Sequence, residues 1–369
     1  MIGDAARVAQ IRPARREDLD QVTALYECTM RSGSRVAAPG LAAYFERTLF
    51  DYPWADPEIP SLVYEAADDR ILGFQGSHVR RLLIDDRPIR MGCTGQLVTD
   101  PRHRHLAIGT KLVRTYLSGP QELTITDGGT NVVHNMWASL GGLARHPASL
   151  GWMRLFRPMR SLSDLWLELR GQERLRRFLR PVATVVDSPV RPLTRPPGRP
   201  AGVHAEELTP GLLIQCQPGV LGNARLRVDY DKRYLAWLFR EMAAVSTRGA
   251  LVRRLLVDES GPVGWYVCYL KRHGLSRVMA IQAPKEKLGT VLDYLLSDAW
   301  EAGSDAVEGR LEPALFEQLS SRHCWLHYTA RALLHSHHAD VLAALTRGRS
   351  ALTRLDGEFW MGHHIEPLG

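Results

Sequence analysis

The run Leu97-Val98-Thr99-Asp100-Pro101-Arg102-His103-Arg104-His105-Leu106-Ala107-Ile108-Gly109-Thr110 constrains this chain more than any other. An apolar strand passes through a proline-marked turn into a helix start made of small residues. Where a helix begins, several backbone N–H groups lack intrahelical partners and the helix dipole adds partial positive charge, so an anion binds there without a dedicated lysine. Ala107 and Gly109 keep the backbone bare enough for close approach, and Arg104 adds a cation at the rim. The run predicts a phosphate cradle.

Its surroundings read as a folded unit. Ile108, Leu112, Val113, Tyr116 and Leu117 recur at helical spacing, and the helix stops at Ser118-Gly119-Pro120. Leu123 to Thr126 alternates like a strand, Asp127-Gly128-Gly129-Thr130 reads as a turn, and Asn131 to Leu140 suits a short helix closed by Gly141-Gly142. Upstream, the pattern predicts a strand over 8–12, helices over 19–29 and 41–50, and strands over 62–65, 71–79 and 89–99. The last two are joined by an Asp85-Asp86-Arg87-Pro88 turn.

The cradle segment resembles the pyrophosphate-binding segment of the GCN5-related N-acetyltransferases (GNATs). That pattern is Arg/Gln-x-x-Gly-x-Gly/Ala after an apolar strand, and here it reads Arg104-His105-Leu106-Ala107-Ile108-Gly109, with Ala107 where the first small residue is usually glycine. The resemblance spans roughly the first 150 residues, an ordinary single-domain length. It implies acetyl-CoA or another acyl-CoA as co-substrate. Arg104, His105, Leu106, Ala107, Ile108, Gly109 and Thr110 would lie around the diphosphate, and Leu97, Val98 and Thr99 would align the pantetheine arm and acyl group. Asn131 stands one residue from the place of a coenzyme-touching asparagine. The implied chemistry is direct attack of an amine on the thioester, with no metal.

That chemistry needs a base for the ammonium and a proton for the departing sulfur. The resemblance puts Trp137 where a thiolate-protonating tyrosine usually stands, which leaves Tyr116, a water, or unaided departure. No glutamate lies on the strand over 89–99. Asp127 and His134 remain as base candidates, each with a structural reading beside it: a turn-former and a helix-face histidine. The rival reading is a catalytically silent acyl-CoA sensor or scaffold.

At 369 residues the chain is long for one core. Prolines between Asp187 and Pro200 remove donors and fix φ, so that stretch reads as a semi-extended spacer. The expected organisation is an acyl-CoA-binding domain over 1–160, an Arg/Pro-rich connector over 161–202 opening with a helix over 162–179, and a degenerate GNAT-like domain over 203–369. In that last part Gln282 to Gly289 stands where a second cradle belongs, without the arginine or the paired small residues. Strands are expected over 250–258, 263–271, 277–283 and 306–311, with an amphipathic helix over 288–299. Segments 325–334 and 351–360 complete the alternation. With this element order the resemblance implies the fold class α/β (α+β): two GNAT-like domains, each a mixed, mostly antiparallel twisted sheet flanked by helices.

The net charge of +7 is concentrated in Arg170, Arg174, Arg176, Arg177, Arg180, Arg191, Arg195 and Arg199. A solvated joint is the plain reading, an anionic cell-envelope precursor or membrane surface the sharper one, and nucleic acid is not expected from such placement. Five scattered cysteines argue for reduced thiols over a disulfide framework. His335-Ser336-His337-His338 lacks a set that completes a metal tetrahedron, and His363-His364 reads as a solvated tail. No signal peptide or membrane-spanning run is evident, so the expectation is a cytoplasmic monomer or homodimer acting on a small-molecule or cell-envelope-precursor amine.

Overall fold

The computed structural model describes residues 8–144, 147–169, 185–187, 189 and 191–361. Among them the elements are β1 (Gln10–Pro13), α1 (Leu19–Met30), α2 (Leu41–Phe45), β2 (Leu62–Glu65), β3 (Ile71–Ile84), β4 (Arg87–Thr99), α3 (Ile108–Leu117), β5 (Leu123–Gly129), α4 (Asn131–Ser139), β6 (Leu143–Ala144), β7 (Leu150–Leu155) and α5 (Pro158–Leu169). After them come β8 (His204–Glu207), α6 (Pro210–Leu221), β9 (Leu226–Val228), α7 (Lys232–Ala243), β10 (Ala250–Asp258), β11 (Gly261–Leu270), β12 (Leu275–Gln282), α8 (Leu288–Glu301), β13 (Ala306–Arg310), α9 (Phe316–Ser320), β14 (Trp325–Tyr328), β15 (Arg331–His335) and α10 (Ala339–Thr346).

The chain forms two compact units, one of residues 1–146, 224–241 and 330–369, the other of 147–223 and 242–329. In the first, the sheet order is β1-β2-β3-β4-β5-β15-β6, with β9 beside the far end of β3. All neighbours are antiparallel except β4 and β5. Asp85 and Asp86 turn β3 into β4 with φ of 47° and 66°, the left-handed pair that a two-residue hairpin demands. Alternate residues of β3 face opposite layers. Phe74 packs with Tyr26, Phe45 and Val98 under α1 and α2, while Val79 packs with Ile108, Leu112 and Tyr116 of α3.

The second unit repeats the scheme in the order β8-β10-β11-β12-β13-β7-β14, and only β12 and β13 run parallel. Leu288, Val291, Leu292, Leu295, Leu296 and Ala299 of α8 are buried on this sheet. Both sheets are mixed, mostly antiparallel and flanked by helices, as the resemblance implies.

The expected consecutive boundaries do not describe these units. β7, placed by sequence in 1–160, pairs with β13 and β14. The segment 325–334 is two strands in two sheets: β14 joins β7, whereas β15 pairs with β5. Residues 224–241 likewise belong to the first unit. A strand's own periodicity carries no record of its partner, so sequence order misassigns such exchanged elements. Three local expectations also change. Asp127 to Gly129 continue β5, because Gly129 pairs with Arg331. Segment 351–360 is a series of turns, with helical geometry only at Phe359–Met361.

The third is the spacer, whose described part is docked in the second unit. One helical turn spans Arg191–Thr194, the Pro197 carbonyl accepts from Ser297 (2.9 Å), and Arg199 pairs with Asp298 (2.8 Å). Arg170, Arg174, Arg176, Arg177 and Arg180, the helix expected beyond 169, and His363-His364 lie outside the described residues.

Among the described residues no helix is long and apolar enough to cross a membrane, and no cluster of His, Cys, Asp and Glu is arranged for a metal ion. All five cysteines are free thiols, with Cys93, Cys216 and Cys268 buried.

Candidate functional site

The cradle is a tightly anchored corner. Past β4, Asp100 is 3% exposed; its N–H donates to the Leu72 carbonyl (2.8 Å), and its carboxylate accepts from the Arg102 N–H (3.0 Å) and guanidinium (2.7 Å). Those Arg102 bonds hold the Asp100 carboxyl well below the usual carboxylate range. Residues Pro101–Leu106 make two short helical turns kinked at His103, and Ala107 then adopts φ 52°, ψ 35° before α3 starts. The left-handed residue breaks the hydrogen-bond ladder. Ala107 N–H donates back to Arg104 O, and the α3 ladder opens with Lys111 N–H on Ala107 O, so the amides of Ile108, Gly109 and Thr110 form the free end of the helix.

Close packing brings this end onto the sheet. A β-carbon on Gly73 of β3 would stand 2.5 Å from Ile108. A β-carbon on Gly109 would meet Thr99 and Met136 only at 3.7 Å, so space remains over the first turn. Arg104 and His105 are exposed at the rim.

Beside the corner the sheet opens. β4 and β5 pair only from Met91 to Cys93 against Leu123 to Ile125, and each then continues without the other. On its other edge β4 bulges: Phe74 faces Val98 and Gly76 faces Gly95, leaving Gln96 and Leu97 opposite the single residue Gln75. Gln96 takes φ 51° there. Such a bulge re-aims main-chain groups out of the ladder.

The opening receives a carboxylate from the far end of the chain. Glu358 accepts from the Thr126 hydroxyl (2.6 Å) and the Asp127 N–H (3.2 Å) of β5, and Asp127 Oδ2 accepts the Glu358 N–H in return (3.1 Å). On β4, only a glycine fits opposite; a β-carbon at Gly95 would overlap the Glu358 carboxylate. Desolvation, reinforced by the nearby Asp127 charge against the Thr126 bond, pushes the Glu358 carboxyl up to about 8.

The preceding turn is locked by fully buried Arg80, which donates to the carbonyls of Asp356 (3.0 Å) and Gly357 (3.2 Å). The Asp356 carboxylate accepts in turn from the Thr353 N–H (2.6 Å) and the Tyr230 hydroxyl. Trp360 is anchored edge-on against Trp237, ring centroids 5.6 Å apart.

No family model matches this sequence, and no curated protein matches it. The coordinates are more informative. A GCN5-related N-acetyltransferase from Anabaena variabilis superposes with a TM-score of 0.58 at 12% identity, covering 91% of this chain and 75% of that one. One from Kribbella flavida gives 0.58 at 14% identity, covering 93% and 74%. An Enterococcus faecalis protein described as a probable N-acyltransferase gives 0.56 at 8%, covering 89% and 73%. The chain has the GNAT fold. At such identities the likeness concerns the backbone, and what it implies for chemistry depends on the residues at the corner and the opening.

Those residues fall into three groups within the GNAT fold. Leu97 and Thr99 lie on β4, Arg104 to Thr110 form the corner, and exposed Asn131 opens α4 just past β5; Val98 is buried toward α1. Asp127 is at the opening, bonded to the Glu358 backbone, and half-buried His134 lies on α4 beside Asn135 (3.3 Å). Tyr116 is elsewhere. Its hydroxyl meets Ser77 Oγ at 2.7 Å inside the α3 core, and burial pushes its pKa far up. Trp137 is core as well, packed with Val113, Leu117 and Leu333. Sequence reading missed Glu358, because its neighbours at the site lie more than two hundred residues away. The only local hint was an acidic residue flanked by Gly357 and the aromatic pair Phe359-Trp360.

Proposed function

We propose that this protein transfers an acetyl or other acyl group from CoA to a primary amine, by direct attack within its first unit. One observation carries the reading: the left-handed corner at Ala107 presents the first turn of α3 beside a strand pair that separates past Cys93 and Ile125. The amides of Ile108, Gly109 and Thr110, with Arg104 at the rim, hold the diphosphate. Main-chain groups of Leu97 to Thr99 align the pantetheine arm between β4 and β5, and Asn131 flanks it. When bound, acyl-CoA supplies the activated thioester. A main-chain N–H of β4, the strand leading into the corner, meets its carbonyl oxygen, where negative charge develops. The acceptor is a small molecule or a cell-envelope precursor.

The test is calorimetry with CoA on the full chain, followed by thiol release from acetyl-CoA with a panel of amines. Gly109→Glu places a carboxylate in the diphosphate position and is expected to weaken CoA binding by about 100-fold or more, about 2.7 kcal/mol. A β-carbon fits there at ordinary contact distance, so the melting temperature is expected to hold. Absence of CoA association with the unaltered protein would falsify the reading. Saturable binding without release above background hydrolysis would instead identify a silent acyl-CoA sensor.

A further inference from the structure

We infer that Glu358, delivered to the opening between β4 and β5 by the C-terminal turn, is the general base that takes the proton from the acceptor's ammonium group. Asp127 and Arg80 act as its positioning residues. The inference rests on the acyl-transfer reading above.

Three observations support it. The strand β4, from Arg87 to Thr99, which borders the opening, contains no acidic residue that could serve as base, whereas Glu358 stands there. Glu358 is partly exposed as a residue, but its carboxylate is held by the Thr126 hydroxyl and the Asp127 and Gly128 amides, in the space left by Gly95. Its backbone is fixed as firmly: Asp127 takes its N–H, and Arg80 binds the two carbonyls just before it. A surface carboxylate needs none of this. Preorganisation of one carboxylate by β3, β5 and the C-terminal turn together is what proton transfer at a defined position requires.

The groups facing Glu358 are Asp127 from β5, Cys93 from β4 and Tyr26 from α1. Arg80 of β3 and Asp356 lie behind them along the same turn. Burial in this company, with Asp127 the nearest negative charge, keeps the carboxyl protonated to unusually high pH and brings its basicity close to that of an amine. The step balances. Glu358 accepts one proton from the ammonium, the free amine forms the C–N bond, and the C–S bond breaks. The nitrogen's second proton then leaves with the thiolate as free thiol, and Glu358 returns its proton to solvent.

Glu358→Gln keeps the size and the hydrogen bonds but not the basicity. It should lower kcat/KM for an aliphatic diamine, a lysine peptide or an amino sugar about 100-fold or more. CoA affinity by calorimetry should stay within about two-fold. The unaltered protein should lose activity as pH falls below about 8, and the variant should lack that limb. Asp127→Asn preserves an acceptor for the Glu358 N–H while removing a negative neighbour, so the acid limb should move to lower pH. Thr126→Val removes a donor to the ionised form and should move it upward. A purely structural role would not shift the limb in opposite directions.

Wild-type rate and an unchanged limb in Glu358→Gln overturn the assignment while leaving acyl transfer intact. If that variant does not fold, unmoved limbs in Asp127→Asn and Thr126→Val overturn it equally. Failure of the unaltered protein to bind CoA, or to release thiol with any amine, overturns both readings.

Discussion

Both units carry a strand–turn–helix at the same place in the sheet, but the two turns are built differently. In the first unit, β4 leads through a turn anchored by Asp100 to left-handed Ala107, and the amides of Ile108 to Thr110 stand free. In the second, β12 leads through a single helical turn, Lys285–Lys287, and Lys287 is already right-handed, so the chain runs directly into α8. There the first turn is covered by the protein itself. Arg322 donates to the Gly289 carbonyl (3.1 Å), its guanidinium is locked by Asp293 (2.6 Å), and a β-carbon on Gly289 would stand 2.6 Å from Gln318.

The strand openings differ in the same way. Past Cys93 and Ile125 the first holds a carboxylate; past Arg277 and Glu308 the second is bordered by the Trp152 indole, wedged against Gly309 and beside Val278 and Ile281. Identical strand order therefore does not make a site. What distinguishes the units is which of the chain's own side chains stands there, a carboxylate in the first and an indole in the second.

The largest expected effect tests the filled opening. Trp152→Ala removes a fully buried indole and should cost the second unit about 3–5 kcal/mol, read as a fall in its denaturant midpoint. The CoA dissociation constant should not change, since that site is assigned to the first unit. A weakened CoA affinity with the first unit still folded would break the distinction.

Uncovering the second corner comes next. Arg322→Ala deletes a partly buried ion pair and should cost about 1–3 kcal/mol. Calorimetry should still find one CoA per chain; a second site would mean that the cover alone keeps that corner closed.

The carboxylate in the first opening gives an effect visible only against pH. Its folded-state pKa, about 8, lies above the model-compound value of 4.5, so the folded form holds a proton that the unfolded chain releases. Stability should fall as pH rises from about 4.5 to 8, and Glu358→Gln should flatten that slope, raising the melting temperature more at pH 9 than at pH 5. An equal effect at both pH values would contradict the buried, protonated carboxyl.

The smallest effect sharpens the open corner. Ala107→Gly relieves a left-handed alanine and should add up to about 1 kcal/mol, with CoA binding equal or tighter. A destabilised variant would show that the Ala107 methyl is wanted where it lies.

Much of this was legible locally. The helices over α1, α3, α4 and α8 and the strand–turn–helix order at Leu97 to Thr110 follow from spacing and turn chemistry, which act between residues a few positions apart. The repeat of element order in the second half was readable for the same reason. Tyr116 shows the limit: its spacing put it on the apolar face of a helix, but only the packing of that face against Gly92 and Ser77 removed it from the chemistry. Glu358 shows the converse, an acidic residue near the chain end whose meaning depends on Gly95 and Thr126.

By itself the sequence determined the local grammar: where strands alternate, where helices start, and which corner has residues small enough to admit an anion. Tertiary structure decided the rest. It chose that β7 and β15 pair outside their expected halves, that Trp152 borders one opening, and that the other receives a carboxylate. The reason is physical. Helix periodicity and turn preference arise from bonds and contacts within a few residues, whereas strand partnership, burial and the desolvation that tunes a carboxyl depend on which distant segments share the same few ångströms.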